Sequence, residues 1–402
     1  MRQSESHPHL SEGIRPLFSP SLYEKLLALR HELHRHPELA FQEERTASRL
    51  YDELAALKPM EVRRVAGTGV VARIAGRHPG AKVVALRGDI DALPIQEATD
   101  LPYASQNDGI MHACGHDVHA SWVVGAACLL SENPAWGDVL IVLQPAEESG
   151  QGAVKVIESG ALDGVSAIFG GHVDRRFEMG RVVAQPGPMG ASTDSFEIDL
   201  LGRPGHGARP HEAVDPVVGL GALIMALQTI VSRKIDPASP AVVSIGQITG
   251  GSAPNIIPAK VSMAGTLRAV HPKTRQLLMD EVQKITKSTA AAYNLKVDIR
   301  FGNGTPPVIN QTEPAGWARH AAESLLGEGA VVPMKYQNMG GEDFAYYLEK
   351  IPGAFLRVGA CEPGGEPIAA HSPHFYVPDE TVFLGAALMA EVARVASDAM
   401  ND

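Results

Sequence analysis

Cysteine is scarce: Cys114, Cys128 and Cys361 are the only three in 402 residues, too few for a disulfide framework. Cys128 falls in the apolar run ASWVVGAACLL and reads as core, while Cys361 follows a strand-like segment and receives no role. Basic charge is not in excess either. The net charge of -11 argues against a nucleic-acid partner or an anionic membrane surface. No apolar stretch of about 18 residues is found that would span a bilayer. The opening MRQSESHPHLSEGIRP lacks the apolar segment of a secretion signal, so the expectation is a reduced, cytoplasmic protein. Aromatics are few, at 5%, whereas 40 glycines imply many tight turns. What remains is the composition of an ordinary globular protein, 45% hydrophobic and 20% charged, with length for two or three domains.

After a polar lead-in, SPSLYEKLLALRHELHRHPEL predicts an amphipathic helix stopped by Pro37, and a second helix is expected over Glu43–Leu57. His31, His34 and His36 lie at helical spacing and read as solvated or orienting residues. Short apolar, β-branched segments follow at Val70–Ile74, Val83–Leu86, Val139–Leu143 and Ala167–Phe169, separated in part by helical stretches around His119–Leu130 and Ala153–Ser159. Strands alternating with helices predict an α/β domain with a largely parallel sheet. Such sheets bind ligands beyond the carboxyl ends of their strands, and here three consecutive strand ends deliver Asp89 and Asp91, then Glu147 and Glu148, then His172.

From about Met189 the order becomes strand (Asp194–Leu201), helix (Pro216–Ser232), strand (Ala241–Ile248), strand (Val261–Val270), helix (Pro272–Tyr293), strand (Leu295–Phe301). That βαββαβ order is ferredoxin-like. The α/β texture resumes with a helix near Glu313–Leu326, a strand at Ala354–Val358 and a last helix near Thr381–Ala399. The simplest organisation is a catalytic domain of residues 1–188 and 305–402 with a small domain, 189–304, inserted into it.

The densest chemistry is MHACGHDVHA, residues 111–120, with His112, Cys114, His116, Asp117 and His119. Imidazole and thiolate together suit borderline-soft divalent metals. Cys114, His116, Glu148, His172 and His371 can supply two metals with N, S and O donors, and paired ions polarise both water and a carbonyl. Adjacent residues at a strand end point in different directions, so one carboxylate of Glu147-Glu148 can bind metal while the other faces the attacking water. An isolated acidic pair is usually a solvated turn, but this one follows a buried strand. Asp89 and Asp91 read as acceptors that orient imidazoles in preference to direct ligands, and so do Asp117, His119 and His112.

The runs LHRHPELAFQEERTA, LRGDIDALP, MHACGHDVHA, LQPAEE, GRPGHGARPH, GGSAPNIIP, GTLR, MGGEDFA and AHSPHF, spread over roughly residues 30–390, resemble the metal-dependent amidohydrolases related to aminoacylase, hippurate hydrolase and the plant indoleacetyl-amino-acid hydrolases. The resemblance implies metal ligands Cys114, His116, Glu148, His172 and His371, with His374 as a rival for the last position. It implies Glu147 as the general base that takes a proton from the attacking water and returns it to the leaving amine. It also implies that the inserted domain is a lid through which subunits form a homodimer or larger homo-oligomer. His206 then reaches the neighbouring subunit's site to stabilise the oxyanion, and Asn255, Arg268 and His211 contact substrate. The implied cofactors are two divalent ions per subunit, Mn, Zn, Co or Ni, and the implied substrate is a small N-acyl-amino acid or amide. A dipeptidase or carboxypeptidase acting on short peptides is the alternative within the class, and an inactive metal-binding sensor the alternative outside it. One departure stands out: many relatives carry Pro soon after the third-ligand histidine, whereas this chain reads HVDRRFEMG with Arg175 and Arg176.

Overall fold

The computed structural model describes residues 13–401; most of the expected polar lead-in lies outside them. The chain divides into two compact units, Met1–Gly187 with Ile309–Lys335 and Asp343–Asp402, and Pro188–Val308 with Tyr336–Glu342. The stretch Tyr336–Glu342, which the residue pattern groups with the catalytic domain, goes with the small unit. There the Ala191 N–H donates to the Gly340 carbonyl at 3.0 Å, and the Asn338 amide donates to the Met189 carbonyl at 3.3 Å.

The large unit is built on a seven-stranded sheet. Its strands are β1 (Glu61–Val65), β2 (Gly69–Ile74), β3 (Val83–Asp89), β4 (Val139–Gln144), β5 (Val165–Glu178), β6 (Val182–Val183) and β7 (Gly353–Cys361), in the order β1-β2-β4-β3-β5-β7-β6. The central four, β4-β3-β5-β7, run parallel, and antiparallel strands are added at both edges. The helices are α1 (Pro20–Arg35), α2 (Glu44–Ala55), α3 (His116–Glu132), α4 (Gly152–Glu158), α5 (Thr312–Leu326) and α6 (Glu380–Asn401). Every residue of β4 is buried, as expected for a strand covered on both faces. α3 is buried from His116 to Leu130 and packs on α6. Helix and sheet approach closely where the site begins: a Cβ on Gly88 would lie 2.7 Å from the His119 carbonyl oxygen. Glycine at that position lets the end of β3 meet the first turn of α3.

Strand β5 runs further than its apolar segment predicts. It continues through His172 to Glu178, so His172 is inside a strand and not in the turn beyond one. Its polar tail is paired with β7 from Gly353↔Ile168 to Cys361↔Glu178, and backbone pairing carries residues that the hydrophobic pattern leaves out.

The small unit follows the βαββαβ order. Four antiparallel strands are arranged Ala241–Gly250, Lys260–Ala269, Asp194–Leu201, Lys296–Phe301. The helices Pro216–Arg233 and Pro272–Ala292 share one core with this sheet through Leu220, Leu223, Leu227, Leu278 and Val282. Asp215 caps the first helix by accepting the Val217 N–H at 2.8 Å, with Pro216 opening the first turn. By length and composition this helix is apolar enough to cross a membrane, with a mean hydropathy of 1.5 over its 18 residues, contrary to the expectation that no such stretch exists. The reason is an apolar surface on both sides: one side packs on the sheet, while Val217, Val218 and Met225 are exposed.

Candidate metal centre

The turn before α3 places the first two donors. Gly115, with φ of +90°, caps the helix in the left-handed region that glycine enters without strain. Cys114 precedes it and His116 opens the helix. The His116 Nδ1 donates to the Asp91 carbonyl at 2.9 Å, which leaves the lone pair on Nε2. His172 is fixed in the same way: Nδ1 donates to the Val173 carbonyl at 2.6 Å, and Nε2 faces the Cys114 Sγ at 3.1 Å. A carbonyl can only accept, so both tautomers are set by the fold.

Glu147 and Glu148 leave β4 through Ala146, which is held at a φ of +55°. A buried carboxylate explains how a non-glycine residue stays there. Glu43 accepts the Ala146 N–H at 2.9 Å and the Thr68 hydroxyl at 2.5 Å. The next two N–H groups, of Glu147 and Glu148, donate to the two oxygens of Asp91, each at 3.0 Å. Asp91 therefore positions His116 through its backbone and the carboxylate pair through its side chain. The last donor comes from the segment between β7 and α6. His371 has a φ of +67°, its N–H donates to the Ala113 carbonyl at 2.8 Å, and its Nε2 lies 3.3 Å from Glu148 Oε1.

Of the five donor groups among the described residues, two are made wholly of the five expected ligands, and Glu147 joins His116 and Glu148 in a further one. Cys114, His116 and His172 present ligand atoms within 4.8 Å of one another, and so do Cys114, Glu148 and His371. Cys114 belongs to both. The five expected ligand residues are thus together, and the thiol shared between triads is a feature that residue order does not disclose. The donor atoms fit cations on a further count. Among the described residues, His116 Nε2 and Glu148 Oε1 are buried without a hydrogen-bond partner, 3.8 Å apart, and buried polar atoms are seldom left so.

The electrostatics differ between the donors, and at His116 a cation must displace a proton from Nε2. Burial disfavours an imidazolium at His116, yet the Asp89 carboxylate and the bond to Asp91 outweigh it and hold its pKa well above the usual value. Burial drives His172 far below the usual value, with His119 and Arg357 adding to it, so this ring is a neutral donor. Burial also pushes the Cys114 thiol up to about 12, and Glu148 adds to the rise; a bound divalent cation reverses that preference by taking the thiolate directly.

The surrounding acceptors separate into those that touch this centre and those that do not. His119 is excluded as a ligand, because its Nδ1 donates to Asp89 at 2.7 Å and its Nε2 accepts the Val173 N–H at 3.0 Å. Asp89 faces His116 Nε2 at 3.8 Å and is tied by Arg87, which is itself wholly buried and bonds Gln144 at 2.8 Å and Asp343 at 3.0 Å. Asp117 points away from the donors, to Arg30 at 3.2 Å and His34 at 2.9 Å. His34 is 1% exposed, which removes the solvated one of its two expected readings. Burial opposes its charge, but Asp117 and Glu97 raise its pKa to about 9. His112 is buried with neither ring nitrogen partnered, and burial lowers it to about 4. His374 binds the Ala98 carbonyl through Nδ1 at 2.8 Å and joins neither triad. Sequence reasoning missed Glu43, Arg87, Gln144 and Asp343, whose signal was their place in the runs LHRHPELAFQEERTA, LRGDIDALP, LQPAEE and MGGEDFA.

In the small unit, His206 lies on a two-residue ribbon, Gly205–His206, paired with Ile256–Ile257. Its Nδ1 accepts the Ala208 N–H at 3.1 Å, so the ring proton is on Nε2. The Asn255 carbonyl accepts the Gly207 N–H at 2.8 Å, which puts Asn255 beside this histidine. Arg268 is half-buried on the strand Lys260–Ala269 with no carboxylate paired to it among the described residues; burial lowers its pKa. His211 stands apart, with its side chain 75% exposed.

Residues 85–395 match the profile described as Peptidase family M20/M25/M40. The chain is 42% identical over 353 residues to an N-acetyl-L-cysteine deacetylase of Bacillus subtilis, covering 87% of this chain and 84% of that protein. It is 36% identical to the IAA-amino acid hydrolase ILR1-like 4 of Arabidopsis thaliana, covering 92% of this chain and 85% of that protein. Among solved structures, the YXEP protein of Bacillus subtilis, described as a dinuclear metal-binding peptidase from the M20 family, superposes with a TM-score of 0.84 at 36% identity, covering 94% of this chain and 99% of that one.

Proposed function

The chain belongs to peptidase family M20/M25/M40, as a metal-dependent amide hydrolase, and we propose that it cleaves the amide bond of small N-acyl-amino acids with two divalent ions held by Cys114, His116, Glu148, His172 and His371. The observation that carries this reading is the pair of triads sharing Cys114, with Glu147 Oε2 beside them at 3.9 Å from His116 Nε2. The ions, Mn, Zn, Co or Ni, supply Lewis acidity that makes water nucleophilic near neutral pH and polarises the carbonyl. Glu147 takes the proton of the attacking water and returns it to the leaving amine. Its other oxygen is anchored by the Asp343 N–H at 3.3 Å. His206, with its Nε2 proton fixed by Ala208, donates to the oxyanion, and Asn255 lies beside it. Arg268, unpaired by carboxylates, suits the substrate's free carboxylate; His211 is a more peripheral contact. The names of the relatives, a deacetylase of N-acetylcysteine and a hydrolase of indoleacetyl conjugates, support acylated amino acids over dipeptides. Hydrolysis of a panel of N-acetyl, N-benzoyl and indoleacetyl amino acids by metal-loaded protein tests this. Turnover is expected on at least one acyl series, and none on any of them, with metal bound, points to the sensor reading.

The surface of the small unit supports a homodimer through that unit. The strand Ala241–Gly250 is at the edge of its sheet and carries no charged side chain, although edges are usually blunted by charge. Ile248 on it is 55% exposed, and Met225 on the apolar helix is 71% exposed. Ile248→Lys is expected to convert the dimer to a monomer in light scattering. If His206 serves a neighbouring copy, mixing inactive Glu147→Gln and His206→Ala chains restores part of the activity; forced hybrids that stay inactive refute that role. A cytoplasmic setting accords with a thiol ligand and with three cysteines that are all free.

A further inference from the structure

We propose that Arg175 is a positioning residue for His371, clamping the loop that brings this imidazole to the shared thiol; the inference rests on the dinuclear reading above. The segment between β7 and α6, residues 362–379, contains no helix or strand. A loop of that length must be ordered by the side chains it meets. Arg175 leaves β5 and is 3% exposed. Its guanidinium donates to the Ala360 carbonyl at 3.2 Å, the Glu362 carboxylate at 2.8 Å, the Glu366 carbonyl at 3.3 Å and the Tyr376 carbonyl at 3.3 Å. It also stands 4.2 Å from the centroid of the Tyr376 ring. One planar fork thus gathers the entry, the middle and the exit of the loop, and His371 lies between the last two points.

The need for a clamp follows from the backbone. His371 is a non-glycine residue at a φ of +67°, a conformation that persists only where the surroundings over-determine it. Its side chain is 52% exposed and its ring lies 3.3 Å from Glu148 Oε1, so packing alone does not hold it. The chain beyond it has separate ties: the Ala98 N–H donates to the Pro373 carbonyl at 2.8 Å, and Phe375 is buried. Loss of the clamp therefore leaves His371 held by the single bond from its N–H to the Ala113 carbonyl, without undoing the exit of the loop. Of the two triads, only Cys114–Glu148–His371 depends on it; Cys114–His116–His172 is built from β5 and the start of α3.

Calorimetric titration of metal-free full-length protein with Mn²⁺ separates the two. Wild type is expected to bind two ions per chain. Arg175→Met keeps the stem and removes every donor, and should weaken one of the two binding events by about tenfold or more, in the range typical of groups that orient a ligand, with the other unchanged. Arg175→Lys, with charge but no fork, should fall between them. Glu362→Gln, at a half-exposed partner, should weaken the same event in a milder background, and it decides the matter if Arg175→Met does not fold. Unchanged affinity for both ions in Arg175→Met and Glu362→Gln, or equal weakening of both events, overturns the assignment. Wild type binding fewer than two ions overturns the dinuclear reading instead.

Discussion

Glu147→Gln is expected to lower kcat by about 10²–10⁴-fold, the usual worth of a general base, with both divalent ions still bound. The geometry makes this substitution informative. Glu147 Oε1 takes the Asp343 N–H at 3.3 Å, and the amide oxygen of a glutamine can accept the same bond, so the turn after β4 keeps its shape. The Glu147 and Glu148 N–H groups remain on Asp91. What disappears is the group that accepts a proton. Kinetics on protein whose metal content is measured by mass spectrometry checks the prediction. Metal loss equal to that of Glu148→Ala would make Glu147 a ligand and remove it from the role of base.

Cys114→Ala should have the wider effect on metal binding. Because its Sγ belongs to both triads, the substitution is expected to abolish stoichiometric retention of both ions and reduce turnover to background. His371→Ala should cost only one ion, since His116 and His172 keep their places on α3 and β5. The comparison of the two variants is the test. Parallel loss of a single ion in both would mean that the thiol serves one metal and not two. The direction is opposite to what burial alone predicts for a core cysteine: the Cys114 pKa is pushed up to about 12, and only a cation in contact with sulfur makes the thiolate the stable form.

How much of this was legible in the sequence depends on the range of the forces involved. The small unit was readable because its signals are local: Lys260–Ala269 alternates buried and accessible positions, and Pro216 and Pro272 open its two helices. The four central strands of the large sheet were readable from their apolar runs. The polar end of β5 was not, because His172, Asp174, Arg175 and Arg176 break the pattern, and His172 and Asp174 are paired to a strand some 185 residues away in sequence. The five expected donors drew notice because their residue types are rare in such places, and they lie close together. Their division into triads could not be read, since sharing of one sulfur is a property of distances. His34 shows the same limit: a histidine on an amphipathic helix reads as solvated or orienting alike until Asp117 and Glu97 are seen to enclose it. Arg87 meets Asp343 across 256 positions, and no local pattern reports such a partner.

The insertion of the small unit has a consequence for biosynthesis. Cys114, His116, Glu148 and His172 all precede it in the chain, whereas β7 and His371 follow it. As the polypeptide leaves the ribosome, the four earlier donors are all made before the small unit. His172 is fixed only by the parallel pairing of β5 with β7, a long-range contact of the kind that forms slowly. Neither triad is therefore complete until the final quarter of the chain has been translated.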